Sequence, residues 1–360
     1  MPKPVQFGFL SLADVMQSQV TPALVPRINS AITATLLEYD RQLNAMLGLF
    51  SVKTSNFMLR YMTPVAKRLQ PLDENGRARP TKGVGFYNVA FPMFAGGDAW
   101  AINYVAQQKM TVQDINDWLY STLAADKAFI AERLMVALLA KDPWTFVDEK
   151  HGELRVMPLA NNDEQEYHIR AGHAAGAKDN HLLGQLEAIS DAHNPFPMIR
   201  RELIEHPENG GSAANVIVLV PTAQTEDIQN LAGFSEPRDT DVTPALGQAY
   251  LSGTLETPVP GRVIGKVNQC WIAEWPTLPD APLIAVPYGA GGEAALAQRE
   301  HEEANLKGFF ELPVRSNTPF EERQFQRHTG FGVQNRVGAL VLTVGSEEYE
   351  VPEGYEAPEN

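Results

Sequence analysis

Apolar positions along this chain fall into regimes that follow one another, and each regime predicts an element. The first 22 residues show no period; Pro2, Pro4 and Pro22 punctuate them, and they read as an irregular arm. Pro26 then sits where a helix can begin, because the first turn has no use for its missing N–H. Ile28, Ile32, Leu36, Leu43 and Leu47 recur at helical spacing as far as Gly48, which predicts an amphipathic helix. Residues 57–94 change to a strand-like pattern. Two apolar legs, 57–62 and 83–91, flank a polar run at 71–80 in which Asn75-Gly76 can adopt the positive φ of a tight turn. This reads as a long β-hairpin whose legs, about a dozen residues each, reach roughly 40 Å. A two-stranded ribbon is marginal alone in water, so it needs a surface to lie on, its own or a neighbour's.

Helical period returns at Thr111, an N-cap with Asp114 three residues on, near the positive helix end. Ile115, Leu119, Leu123, Ile130, Leu134 and Leu138 form a stripe ending before Pro143. About 30 helical residues span ~45 Å, which is long for a globular helix and suits a spine. Between 141 and 195 the pattern weakens: 153–159 reads as a strand and 181–189 as one or two helical turns. Residues 196–204 read as a short helix before a loop at Asn209-Gly210-Gly211. A strand at 216–221, a short capped helix at 222–231, a strand at 262–273 and another at 282–288 make an α/β stretch. A charged segment follows, and then an apolar run from Arg327 to Gly345.

At 360 residues the chain can bury a substantial core in one or two domains. No apolar run approaches the roughly 18 residues that suggest a membrane span, so no membrane partner is expected. The start lacks the basic-then-apolar design of a secretory signal, and the single Cys270 excludes an internal disulfide framework and suits a reducing compartment. A formal charge of −15 argues against general nucleic-acid affinity, which needs clustered Lys and Arg.

Candidate chemistry is sparse. Gly289–Gly292 follows an apolar strand, and glycine clusters there can cradle phosphate on backbone N–H groups. Glu293 enters where it would repel phosphate, and no Gly-Lys-Ser/Thr ending is present, so the sequence favours a plain turn. His168, His173, His181 and His193 fall beside Asp179, Glu187 and Asp191, but their gaps match no usual metal-ligand spacing. His301-Glu-Glu-Ala-Asn lacks the second histidine of a zinc protease, no Gly-x-Ser-x-Gly elbow occurs, and Cys270 reads as a buried thiol. We therefore expect no catalytic, cofactor or metal residues.

The order of elements resembles the tailed-phage major capsid proteins of the Hong Kong ninety-seven fold. The most specific stretches are Glu311 to Phe325, similar to the family's strand and following loop, and Arg327 to Val344, similar to its last peripheral-domain strand pair. Gly330, Val333, Asn335, Ala339 and Val341 fill pattern positions there. The resemblance implies an α+β fold with an N-terminal arm and helix (1–55) and a hairpin called the E-loop (56–94). A peripheral domain with its spine helix at about 111–140 follows (95–195), then an axial domain (196–310) and a return to the peripheral domain with a C-terminal tail (311–360).

The implied function is self-assembly, through pentamers and hexamers, into an icosahedral shell around a phage genome. Implied partners are copies of the chain itself, a separate scaffold, a portal, decoration proteins, and double-stranded DNA held without specific binding. The implied location is the virion capsid, assembled in the host cytoplasm. Arg77, Arg79 and Lys82, a cationic tip on an acidic protein, are the candidate intersubunit contacts. Some family members cross-link a hairpin lysine to a neighbour's asparagine; Lys67, Lys82 and Asn335 hold comparable positions, but noncovalent assembly is expected here. An encapsulin-type compartment shares the fold, and a nucleotide-binding enzyme using Gly289–Gly292 or a phage tail or adaptor protein are alternatives.

Overall fold

The structure is a computed structural model. It describes residues 16–17, 19–20, 25–62, 71–77, 86–103, 109–168, 177–210, 215–236, 242–245, 248–251, 260–289, 292–312 and 320–358. In chain order the helices are α1 (Val25–Leu47), α2 (Val112–Leu139), α3 (Phe196–Ile204) and α4 (Thr225–Gln229). The first strands are β1 (Ser51–Thr54), β2 (Met58–Met62), β3 (Phe86–Ala90), β4 (Phe94–Asn103), β5 (Trp144–Asp148), β6 (Gly152–Val156), β7 (Leu182–Gln185) and β8 (Asn215–Val220). Then come β9 (Val242–Ala245), β10 (Gln248–Leu251), β11 (Arg262–Val267), β12 (Cys270–Glu274), β13 (Pro282–Tyr288), β14 (Leu296–Glu300), β15 (Phe309–Leu312), β16 (Phe320–Val333) and β17 (Leu340–Val344).

Two compact units share these elements. The first comprises Met1–Asn44, Met93–Glu132 and Glu300–Thr329; the second comprises Ala45–Pro92, Arg133–Arg299 and Gly330–Asn360.

In the first unit β16 runs antiparallel between β4 and β15, with Arg327 opposite Gly96 on one side and Phe309 on the other. Helices α1 and α2 close over this sheet because their apolar stripes face it. Ile32, Leu36 and Leu119 are buried with Phe309 and Phe325, and Ile28, Tyr39, Trp100, Ile115 and Leu123 pack around them. Gly96 lets α2 come close: a Cβ there would lie 3.2 Å from the Phe129 ring. The start of α2 is a reciprocal cap. The Thr111 N–H donates to the Asp114 carboxylate at 2.8 Å, and the Asp114 N–H donates to the Thr111 hydroxyl at 3.3 Å. Both predicted helices are present, at 23 and 28 residues.

The second unit is built on a six-stranded mixed sheet in the order β11-β12-β8-β13-β17-β7. Helix α3 buries Phe196, Ile199 and Leu203 on one face, against Val216, Val218, Val220, Ile272, Leu283 and Leu342. Ile217 and Leu219 point to the other face and are equally buried. That double burial is why β8 is an unbroken apolar run with no polar alternation. Smaller hairpins β2/β3, β5/β6 and β9/β10, and the parallel pair β1/β14, complete the unit.

Four expectations change. Residues 181–189 hold the strand β7, parallel to β17, in place of helical turns; a short apolar run carries no period that separates the two. The stretch 262–273 is two strands, folded back at Asn268 (φ 48°) and Gln269 (φ 67°) in the doubly left-handed turn of a tight hairpin. The segment 222–231 begins as a 3-10 turn and has no side-chain cap. The apolar stretch from Arg327 to Val344 contains two strands that enter different sheets, so it is not a strand pair.

Candidate assembly surfaces and buried polar centres

The hairpin expected at 57–94 is closed at its base by β2 and β3, paired from Met58–Ala90 to Met62–Phe86. Tyr61 stacks on Tyr87 at 5.7 Å, and the Arg60 guanidinium lies 3.6 Å from the centre of the Phe86 ring. The turn is built by Asp73. Its carboxylate accepts the N–H groups of Asn75 (2.9 Å) and Arg77 (2.7 Å), and its carbonyl accepts that of Gly76 (2.8 Å). Gly76 takes φ +73°, as the Asn-Gly dipeptide predicts. Arg77 is exposed at this turn. Arg79, Lys82 and Lys67 lie outside the described residues. Asn335, the other partner in the cross-link pattern, is buried and donates its amide to Asn209 Oδ1 at 3.0 Å.

Several large apolar side chains stand exposed. Leu37 on α1 and Tyr120 on α2 belong to the first unit; Leu72 at the hairpin turn, Phe86 and Leu186 belong to the second.

Arginines anchor the polar interior. In the first unit Arg327, 2% exposed, donates through Nε and Nη2 to both Asp126 oxygens at 2.7 and 2.8 Å, and through Nη2 to Asp40 at 2.7 Å. Burial opposes its charge, but the two carboxylates outweigh that and raise its pKa. The Tyr39 hydroxyl, pushed up by burial and then by Asp126, donates to Asp126 at 2.9 Å. The Phe309 N–H satisfies the other Asp40 oxygen at 2.9 Å. The pair is thus hydrogen-bonded on both sides, the condition for a buried charge to be tolerated.

In the second unit Arg299 bonds Asp148 at 2.8 Å and the Phe91 carbonyl at 3.0 Å. Arg336 bonds Asp163 at 2.7 Å and the carbonyls of Pro158 and Leu159.

One centre gathers residues that the sequence leaves apart. His181 and His206, both fully buried, meet Asp179: Nε2 of His206 lies 2.7 Å, and Nε2 of His181 3.1 Å, from the same carboxylate oxygen. The two Nε2 atoms are 3.2 Å apart. His181 is among the histidines that the sequence singles out; His206, the decisive partner, lies beyond that window. No spacing signal joins residues 25 apart across a strand and a helix.

None of these centres presents an activated nucleophile. Burial pushes the Cys270 thiol up to about 12, which leaves it inert. At the glycine loop the Gly292 N–H turns to the Gly289 carbonyl (3.4 Å) and the Glu293 N–H to the Glu208 carbonyl (3.0 Å). Two donors that a phosphate would need are therefore occupied; Ala290 and Gly291 lie outside the described residues.

No protein-family model and no curated protein matches this chain. Among solved structures, a chain of Mycobacterium phage Patience superposes with a TM-score of 0.69 at 18% identity, covering 98% of each chain. The capsid of a native GTA particle gives a TM-score of 0.46 at 11% identity, over 84% of this chain and 90% of that one. The mature capsid of bacteriophage PhiM1 gives 0.44 at 12% identity, over 82% and 84%. The α+β fold expected from the sequence is present, and over nearly its whole length it is the fold of the Patience phage chain.

Proposed function

We propose that this chain is a major capsid protein, which self-assembles into an icosahedral shell around a phage genome. The observation that carries this reading is the end-to-end likeness to the Patience chain, at 98% coverage of both chains. Architecture shared over the whole length of both chains places the same elements in the same order, as a subunit of such a shell requires. Each subunit presents heterologous contacts that close into rings of five and six and then into a curved sheet. The hairpin tip with Arg77, Arg79 and Lys82 docks on an acidic neighbour, and exposed side chains such as Leu37, Leu72 and Phe86 become buried between copies. The net charge of −15 keeps packaged DNA loosely held. A scaffold, a portal and decoration proteins are the further partners of this reading, the host cytoplasm its place of assembly, and noncovalent contacts its glue. No catalytic step is assigned.

The test is expression of the full chain, followed by size-exclusion chromatography and negative-stain electron microscopy. Closed shells, or rings of five and six, are expected, with a scaffold co-expressed where the chain alone stays monomeric. A monomer that resists assembly under both conditions and is thermally stabilised by nucleotide would overturn the reading in favour of the Gly289–Gly292 enzyme.

A further inference from the structure

We propose that Asp179, His181 and His206 form a binding site for one zinc ion, which staples the second unit together. The inference rests on geometry inside that unit and is independent of the capsid reading.

The tautomers decide the chemistry. Nδ1 of His181 lies 2.7 Å from the Ala339 carbonyl, and Nδ1 of His206 lies 2.8 Å from the His168 carbonyl. A carbonyl only accepts, so both Nδ1 atoms carry hydrogen, and either ring, once neutral, turns an Nε2 lone pair toward Asp179. Two lone pairs and a carboxylate oxygen then converge, with separations of 3.2, 3.1 and 2.7 Å. Three acceptors facing one point repel unless something positive sits among them. A proton on one ring serves in the absence of metal.

Zinc satisfies all three. Ligands about 2.0–2.1 Å from a tetrahedral zinc lie about 3.3 Å from one another, and two of the three separations here are within a few tenths of that. Imidazole and carboxylate suit zinc, and backbone carbonyls that fix the distal ring nitrogens are the outer support such histidines usually have. Glu202 and Glu205 form a separate carboxylate group with Asp179 and do not join the histidines, so the fourth position falls to water. A surface cleft of about 510 Å³, lined by Asn162, Lys178, Asp179 and Glu202, admits water.

The ligands come from two places in the fold, and the carbonyl that orients one of them from a third. Asp179 and His181 precede β7, His206 follows α3, and Ala339, which orients His181, precedes β17. An ion here ties the edge of the six-stranded sheet to the helix that covers it.

The full-length protein, stripped with EDTA and then titrated with zinc chloride by calorimetry and thermal denaturation, tests this. Expected are one zinc per chain and a rise in Tm reversed by EDTA. Cobalt in place of zinc should give the intense visible absorption of a tetrahedral site. His181→Gln and His206→Gln should each weaken binding at least tenfold, while His193→Gln, an exposed histidine nearby, should not. No saturable binding by the folded wild-type protein at 100-fold molar excess of zinc would overturn the proposal. So would undiminished binding in the folded H181Q/H206Q variant. The wild-type calorimetric and cobalt readouts stand even where a variant fails to fold.

Discussion

At the scale of single residues the molecule is organised by buried arginines, each shared between carboxylates and carbonyls far away in sequence. Arg327 bonds Asp40 across 287 residues and Asp126 across 201. Removing the cation leaves two carboxylates facing each other without a counter-charge. Arg327→Met should therefore cost about 3–5 kcal/mol in chemical denaturation, the usual loss for one partner of a buried pair. Asp148 offers a pH test. Burial pushes its carboxyl up, but Arg299 and the N–H groups of Lys150 and His151 outweigh burial and hold it below its ordinary value. A carboxylate depressed on folding contributes stability above its unfolded pKa, near 3.9, and loses it as pH falls through the folded value. Wild-type stability should thus fall more steeply below pH 4 than that of Asp148→Asn, which starts lower at neutral pH; parallel curves would exclude Asp148 as a source of acid sensitivity. None of these pairings was legible in the sequence. A lone arginine among alternating polar residues carries no mark of its partner, and the same holds for His206.

At the scale of elements, legibility follows length and period. Helices α1 and α2 repeat their apolar stripe over six or more turns, so both ends were read to within a residue or two. The Thr111–Asp114 cap was visible because its chemistry is local. Strand β7 was not, since Leu182 and Leu183 alone cannot announce a period. The β11/β12 turn was missed because Gln269, at φ 67°, is not a residue that advertises left-handed backbone. The hairpin turn was legible for the opposite reason: Asp73 and Gly76 are the residues such a turn demands. Because Asp73 closes the turn on itself, it makes a detachable piece. Deleting 71–82 should leave far-ultraviolet circular dichroism and the subunit's melting transition nearly unchanged while lowering shell yield. Abundant normal shells from that variant would remove the tip from the assembly mechanism.

At the scale of the whole molecule, the order of elements was more telling than any motif, which is how a fold was recognisable in a sequence only 18% identical to its structural match. Charge is the other whole-molecule property. The proposed docking of a cationic tip on a chain of net −15 would be a screened attraction, with a Debye length of about 8 Å at physiological salt. Arg77→Glu with Arg79→Glu should slow assembly followed by light scattering and flatten its salt dependence; unchanged kinetics would rule out electrostatic docking. The division of the chain has a consequence in time. Its six segments alternate between the two units, so the backbone passes from one to the other five times. The first unit cannot close its Asp40–Asp126 centre until Arg327 is made, 287 residues after Asp40. At about 5–20 residues per second, that is on the order of 15–60 s of synthesis. A half-made chain on the ribosome carries an acidic pair with no cation to meet it, so the proposed shell would recruit only finished chains.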